Sequence, residues 1–195
     1  MVIGLTGGIG AGKSLIRDFL RDKYDSYCID MDTLAKDILL LDEAREKIIA
    51  EFGEQAYFKD RTPDKEYLSK SVFSDIEKRL KINGIIHPLV LKRVNELITE
   101  NKDSFTHVVC ESALPVEAKL KEYCDMVICV RAEKDIRIKR LKENRGYSDE
   151  KILNIFASQK DDGFFESYAD YVLDNSKDPS DALSALDKIL RKRGN

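Results

Sequence analysis

The segment Gly7-Gly8-Ile9-Gly10-Ala11-Gly12-Lys13-Ser14 constrains this chain more than any other, because it matches the phosphate-binding pattern G-x-x-x-x-G-K-S/T. The pattern works only where a strand runs into it and a helix starts on its last residues, since the helix end adds unsatisfied N–H groups and a positive dipole. Both flanks fit. Val2-Ile3-Gly4-Leu5-Thr6 is a short apolar run suited to a buried strand. Beyond the loop, Leu15, Ile16, Phe19 and Leu20 fall on one side of a helix, with Arg17, Asp18, Arg21 and Asp22 elsewhere. Glycines let the loop close around an anion with its N–H groups inward. Lys13 adds a point charge for the β- and γ-phosphates, and the Ser14 hydroxyl is placed to ligate Mg²⁺. The bland alternative is a flexible glycine-rich turn. The full motif in its proper context favours a bound nucleoside triphosphate.

A chain of 195 residues suits one α/β domain with insertions, and 43% hydrophobic residues are enough for a sizeable core. A net charge of −3 argues against a general nucleic-acid binder. No long apolar run or leader-like start occurs, so neither secretion nor a membrane is expected, and the cytoplasm is the expected compartment. Cys28, Cys110, Cys124 and Cys129 form no C-x-x-C pair and read as buried reduced thiols; no zinc site is expected.

Four further apolar runs follow: Ser26–Ile29, His107–Cys110, Asp125–Val130 and Tyr171–Leu173, the last ending in Asp174-Asn175. Such near-continuous runs between helical patterns predict a parallel sheet covered on both faces, with ligands outside the carboxyl ends of its strands. Asp30, Asp32 and Glu111 end strands and are therefore expected near the loop. From Asp32 to Thr106 the chain reads as helical, far longer than a simple crossover requires, which predicts a helical insertion able to hold a substrate. Within it, Ser74-x-x-Glu77 reads as a capping box, and His87-Pro88 as the entry to a helix with Pro88 in its first turn. A second irregular stretch, from about Ala132 to Ala169, carries Lys134, Arg137, Lys139, Arg140, Lys142 and Arg145 ahead of Gly146, with Ser148 opening another helix. It reads either as a solvated helix face or as a phosphate-clamping lid. A terminal helix after Asp178-Pro179, with Leu183, Leu186 and Leu190, is packing.

Phosphoryl transfer requires positioned phosphates, neutralised charge and an oriented acceptor. Gly10 to Ser14 would hold the donor, and Arg140, Arg137 or Arg145 would approach the developing charge. Asp30 and Asp32 would face the same way if the strand extends through both, one as base and the other ordering Mg²⁺ or water. The alternative is ordinary turn aspartates or a helix N-cap before Thr33. His87 is read equally as a contact for an anionic substrate or as a turn residue. Glu111 is either a water-mediated Mg²⁺ contact or a common strand-end acid.

Taken in order along the chain, these motifs resemble the dephospho-coenzyme A kinase family. The resemblance rests on Gly4–Ser14, Asp30-Met31-Asp32 before Ala35, Phe52-Gly53, Val72-Phe73, His87-Pro88, Glu111 to Glu117, Arg140-Leu141, Gln159 and Ala169-Asp170-Tyr171-Val172. It implies an α/β, P-loop kinase-like three-layer α/β/α core with a central parallel sheet of about five strands. It also implies a helical acceptor insertion and a helical lid. The corresponding segments are 1–32, 104–131 and 169–195 for the core, 33–103 for the coenzyme A domain and 132–168 for the lid. The implied activity is ATP-dependent, Mg²⁺-assisted phosphorylation of the ribose 3′-hydroxyl of dephospho-coenzyme A. On this resemblance Asp32 is the base, acting with Lys13 and Arg140. Gly10, Ala11, Gly12, Lys13, Ser14 and Leu15 contact the nucleotide, and Asp30, Asp32, His87 and Glu117 contact the acceptor. The chain departs from the family at Leu15, at Asn144-Arg145-Gly146, at Asp161-Asp162 after Gln159, and at Ala113–Glu117. The alternative readings are another small-molecule or nucleotide kinase with the same core, or a non-catalytic nucleotide-binding module. The oligomeric state is not legible.

Overall fold

Strands that are apolar on both faces must be covered on both, and the computed structural model, which describes residues 1–73, 75–115 and 118–193, shows how. The elements run β1 (Val2–Thr6), α1 (Lys13–Tyr24), β2 (Ser26–Asp30), α2 (Met31–Ile38), α3 (Asp42–Phe52), a 3₁₀ turn (Glu54–Ala56), α4 (Lys65–Phe73) and α5 (Ile76–Asn101). They continue with β3 (His107–Glu111), α6 (Leu120–Tyr123), β4 (Met126–Arg131), α7 (Lys134–Arg145), α8 (Asp149–Ser158), α9 (Asp162–Tyr168), β5 (Tyr171–Asp174) and α10 (Pro179–Arg193). The strands form a five-stranded sheet in the order β2-β3-β1-β4-β5. β1 lies parallel to β3, with Leu5 opposite Glu111, and parallel to β4, with Thr6 opposite Cys129. The phosphate-loop motif thus leaves the carboxyl end of the central strand.

Alternation along the strands decides which helix covers which face. Ile3, Leu5, Val109, Ile128, Val130 and Leu173 point to one side and form a continuous core with Ile16 and Leu20 of α1 and Leu186 and Leu190 of α10. On the other side Gly4 lies against Val127, Leu120 and Cys124, so α6 packs close to the sheet where no side chain intervenes. Each of these large side chains contributes roughly 1.5–3 kcal/mol by leaving water.

The chain divides into two compact units, Met1–Ile29 with Ile98–Asn195, and Asp30–Leu97. The second is helical. Ala44, Ile48, Phe52, Leu68, Ile86, Leu89, Val90 and Val94 are buried in it. The Tyr57 and Tyr67 hydroxyls each donate to a backbone oxygen, of Leu39 and Phe52 respectively, at 2.8 Å.

One helix start differs from the sequence expectation. Pro88 lies inside α5, not in a first turn. Buried Ile86, Leu89, Val90 and Val94 hold both halves of α5, so packing outweighs the lost backbone hydrogen bond. α5 begins at Ile76, and the Asp75 side chain accepts from the Lys78 N–H at 3.0 Å; Ser74 lies outside the described residues. Among the described residues no helix is long and apolar enough to cross a membrane.

Candidate nucleotide site

β1 and β3 are locked where the loop begins. Thr6 Oγ1 donates to the Ser112 oxygen at 2.8 Å, and the Ser112 N–H donates to the Leu5 oxygen at 3.0 Å. The chain then turns sharply at Gly7, whose φ of 137° lies in the region that favours glycine; a Cβ there would run into the Val130 carbonyl. Gly12, with φ of 104°, caps α1 without a side chain, so no cap bond competes for the N–H groups of the first turn. That turn also carries no acidic residue. An uncapped, carboxylate-free helix start suits a polyphosphate, which gains both the N–H groups and the helix dipole. Lys13 Nζ bonds the Gly7 oxygen at 2.9 Å across the loop, Ser14 is exposed beside it, and Leu15 is half-buried in the first turn of α1.

The basic stretch is not simply a solvated face. Arg137 is buried, its Nε donating to the Ile9 oxygen at 2.8 Å and its Nη1 reaching Asp162 at 2.6 Å. Its guanidinium also lies 4.6 Å from the Phe156 ring centre. The Ile9 N–H in turn donates to Gln159 Oε1 at 3.0 Å. Arg140 donates to the Ala11 oxygen at 3.4 Å and to the Asn175 oxygen at 2.9 Å. Arg145, at the end of α7, is exposed, as are Lys134, Lys139 and Lys142. The acidic pair after Gln159 has two separate tasks: Asp161 caps α9 through the Phe164 N–H at 2.7 Å, and Asp162 pairs with Arg137.

Glu111, at the end of β3, pairs with Arg17 at 3.1 Å. All four cysteines are free. Burial pushes the Cys28 thiol up to about 11 and the Cys129 thiol to about 12, so neither is a thiolate at neutral pH.

Asp30, Asp32 and His87 fall in the helical unit. The strand does not extend through both aspartates: β2 ends at Asp30 and α2 starts at Met31. Asp30 is the N-cap, accepting from the Thr33 N–H and the Thr33 hydroxyl, both at 2.9 Å. Asp32 sits exposed in the first turn of α2. Helical geometry, about 100° per residue, therefore replaces the shared face that an extended strand would give them. His87 is half-buried in α5, and Glu117 lies outside the described residues. The residue that the sequence reading passed over is Asn175, buried beside Ala11 just beyond β5. Its place after an apolar run was the same strand-end signal that singled out Asp30 and Glu111.

With this geometry in hand, comparison with known proteins is specific. The family model described as dephospho-CoA kinase matches residues 1–181. A dephospho-CoA kinase of Fusobacterium nucleatum is 31% identical over 190 residues, covering 97% of this chain and 96% of the relative. A crystal structure from Thermus thermophilus superposes with a TM-score of 0.82 at 26% identity, covering 98% of this chain and 97% of that one. The dephospho-CoA kinase from Campylobacter jejuni shares the fold, with a TM-score of 0.71 at 21% identity over 98% of each chain. An uncapped phosphate loop on the central strand of a parallel sheet is common to many kinases, but a match along almost the whole length is not, and the chain belongs to the dephospho-CoA kinase family.

Proposed function

We propose that the protein transfers the γ-phosphoryl group of ATP to the ribose 3′-hydroxyl of dephospho-coenzyme A, giving coenzyme A and ADP. The observation that carries this reading is the uncapped, carboxylate-free start of α1 behind the Gly7–Ser14 loop, in a chain of this family. Gly10 to Leu15 would bind the donor phosphates through backbone N–H groups, and Lys13 would neutralise their charge. Ser14 would hold Mg²⁺, which when bound offsets charge on the phosphates. Arg140 adds positive charge beside Ala11. Asp32 would accept the proton of the acceptor hydroxyl as its oxygen bonds to phosphorus and ADP departs. Both oxygens of Asp30 are engaged with Thr33, so Asp30 serves the acceptor side by fixing the turn that carries Asp32. His87 and Glu117 are the further acceptor contacts in this scheme, the segment 33–103 is the acceptor domain and 132–168 the lid.

The test is ADP release from Mg-ATP over a panel of acceptors. Dephospho-coenzyme A should support turnover and nucleoside monophosphates should not. Asp32→Asn should lose about 10²–10⁴-fold in kcat while binding ATP as before, the range for removing a general base. Turnover with a nucleoside monophosphate but none with dephospho-coenzyme A would overturn the assignment.

A further inference from the structure

Among the described residues, one buried side-chain oxygen beside the phosphate loop has no hydrogen-bond donor: Oδ1 of Asn175, a residue only 1% exposed. The other end of the amide is bonded. That other end is the nitrogen. Nδ2 donates to the Ala11 carbonyl at 2.8 Å. The same carbonyl accepts from Arg140 Nη1 at 3.4 Å, while Nη2 of Arg140 bonds the Asn175 backbone oxygen at 2.9 Å. The Asn175 N–H is itself fixed to the Arg131 oxygen at the end of β4, at 2.9 Å. Glycine at position 12 makes the approach possible, because a Cβ there would collide with Nδ2.

The consequence follows from the planarity of the peptide unit. Among the described residues no peptide bond is cis, so the Ala11 carbonyl and the Gly12 N–H point in opposite directions. Two donors fix the carbonyl, and its rotation into the loop would set a negative dipole against the phosphates. Held toward Asn175 and Arg140, it turns the Gly12 N–H the other way. We propose that Asn175 is a positioning residue for the donor nucleotide: with Arg140 it holds the Ala11-Gly12 peptide with its oxygen outside the phosphate loop and its N–H inside. The inference rests on the donor half of the reading above and is independent of which acceptor the enzyme uses.

Direct binding of Mg-ADP by titration calorimetry, beside steady-state kinetics, tests this. In Asn175→Ala, folded by circular dichroism, Mg-ADP should bind about tenfold more weakly, the loss expected for one well-placed hydrogen-bonding group. KM for Mg-ATP should rise in parallel while KM for the acceptor stays within about twofold, a split that general loosening of the fold would not produce. Arg140→Ala removes the second donor to the same carbonyl from a half-buried site, and should also weaken Mg-ADP. The double variant should lose less than the two single losses combined, because both act on one peptide. Wild-type Mg-ADP affinity in a folded Asn175→Ala, or equal rises in the KM of ATP and acceptor, would overturn the proposal. If Asn175→Ala does not fold, unchanged Mg-ADP affinity in Arg140→Ala overturns it by itself. Failure of dephospho-coenzyme A as acceptor, with these binding losses intact, would refute the acceptor assignment and leave the role of Asn175 standing.

Discussion

Gly7 and Gly12 allow the donor loop its shape for different reasons. Gly12 makes room for a neighbouring amide; Gly7 makes room for backbone, the Val130 carbonyl of the adjacent strand. A side chain tip can move aside, but an oxygen at the end of a strand paired on both sides cannot. Gly7→Ala therefore meets a clash and a φ of 137° together. The backbone strain alone costs about 1–3 kcal/mol, and overpacking adds a similar amount. The expected outcome is a loss of at least about 3 kcal/mol in urea unfolding, with weakened nucleotide binding in whatever remains folded. A variant as stable as the parent would show that β4 yields at Val130. Lys13 shows the same economy of atoms: its ammonium reaches back to the Gly7 oxygen and so spans the loop.

At the scale of elements, α5 separates local propensity from tertiary packing. Pro88 removes the N–H that would bond the carbonyl four residues earlier, and the residue there is Gly84, exposed and with open space for 4 Å around the place a Cβ would take. A helix with a proline and a glycine one turn apart is weak by propensity, and persists because its buried side packs. Gly84→Ala should therefore stabilise the protein by about 0.5–1 kcal/mol, raising Tm by roughly 1–4 °C; a fall in Tm would mean that the turn needs the freedom of glycine. The same contrast explains which elements were legible. The strands were, because two-sided burial writes itself as apolar runs such as Val108-Val109-Cys110. The continuity of α5 was not, because a rule for proline at helix starts cannot see the packing that carries a helix through Pro88. Asp30 and Asp32 were recognisable as a pair, but their geometry depended on one boundary, where β2 ends and α2 begins. The strand-end place of Asn175 was legible, but its role was not, because that depends on a partner 164 residues away.

Across the whole nucleotide-binding unit, two groups tie the layers together and respond to acid in different ranges. Asp187 of α10 accepts from Lys23 of α1 at 2.6 Å and from Arg191 at 2.8 Å, and also from the Tyr24 hydroxyl. These bonds, led by that from Lys23, hold its carboxyl down at about 2. The unfolded chain takes up that proton near 3.9, so the stabilisation is complete above about pH 4 and is lost as pH falls from there toward the folded value. His107, buried at the start of β3, is pushed below its ordinary value first by burial and then by the N-terminal ammonium. Its unfolded counterpart protonates near 6.5, so stability begins to decline as pH drops through about 6.5. Urea unfolding against pH should therefore show two separable limbs. His107→Gln should flatten the decline that sets in below about pH 6.5 and leave the lower limb in place. Asp187→Asn should lower the neutral plateau, because the charge-assisted bonds to Lys23 and Arg191 are gone, and flatten the limb below about pH 4. An unchanged slope just below about pH 6.5 in His107→Gln would mean that the first limb belongs to another group, and that the buried end of β3 does not set the acid tolerance of the sheet.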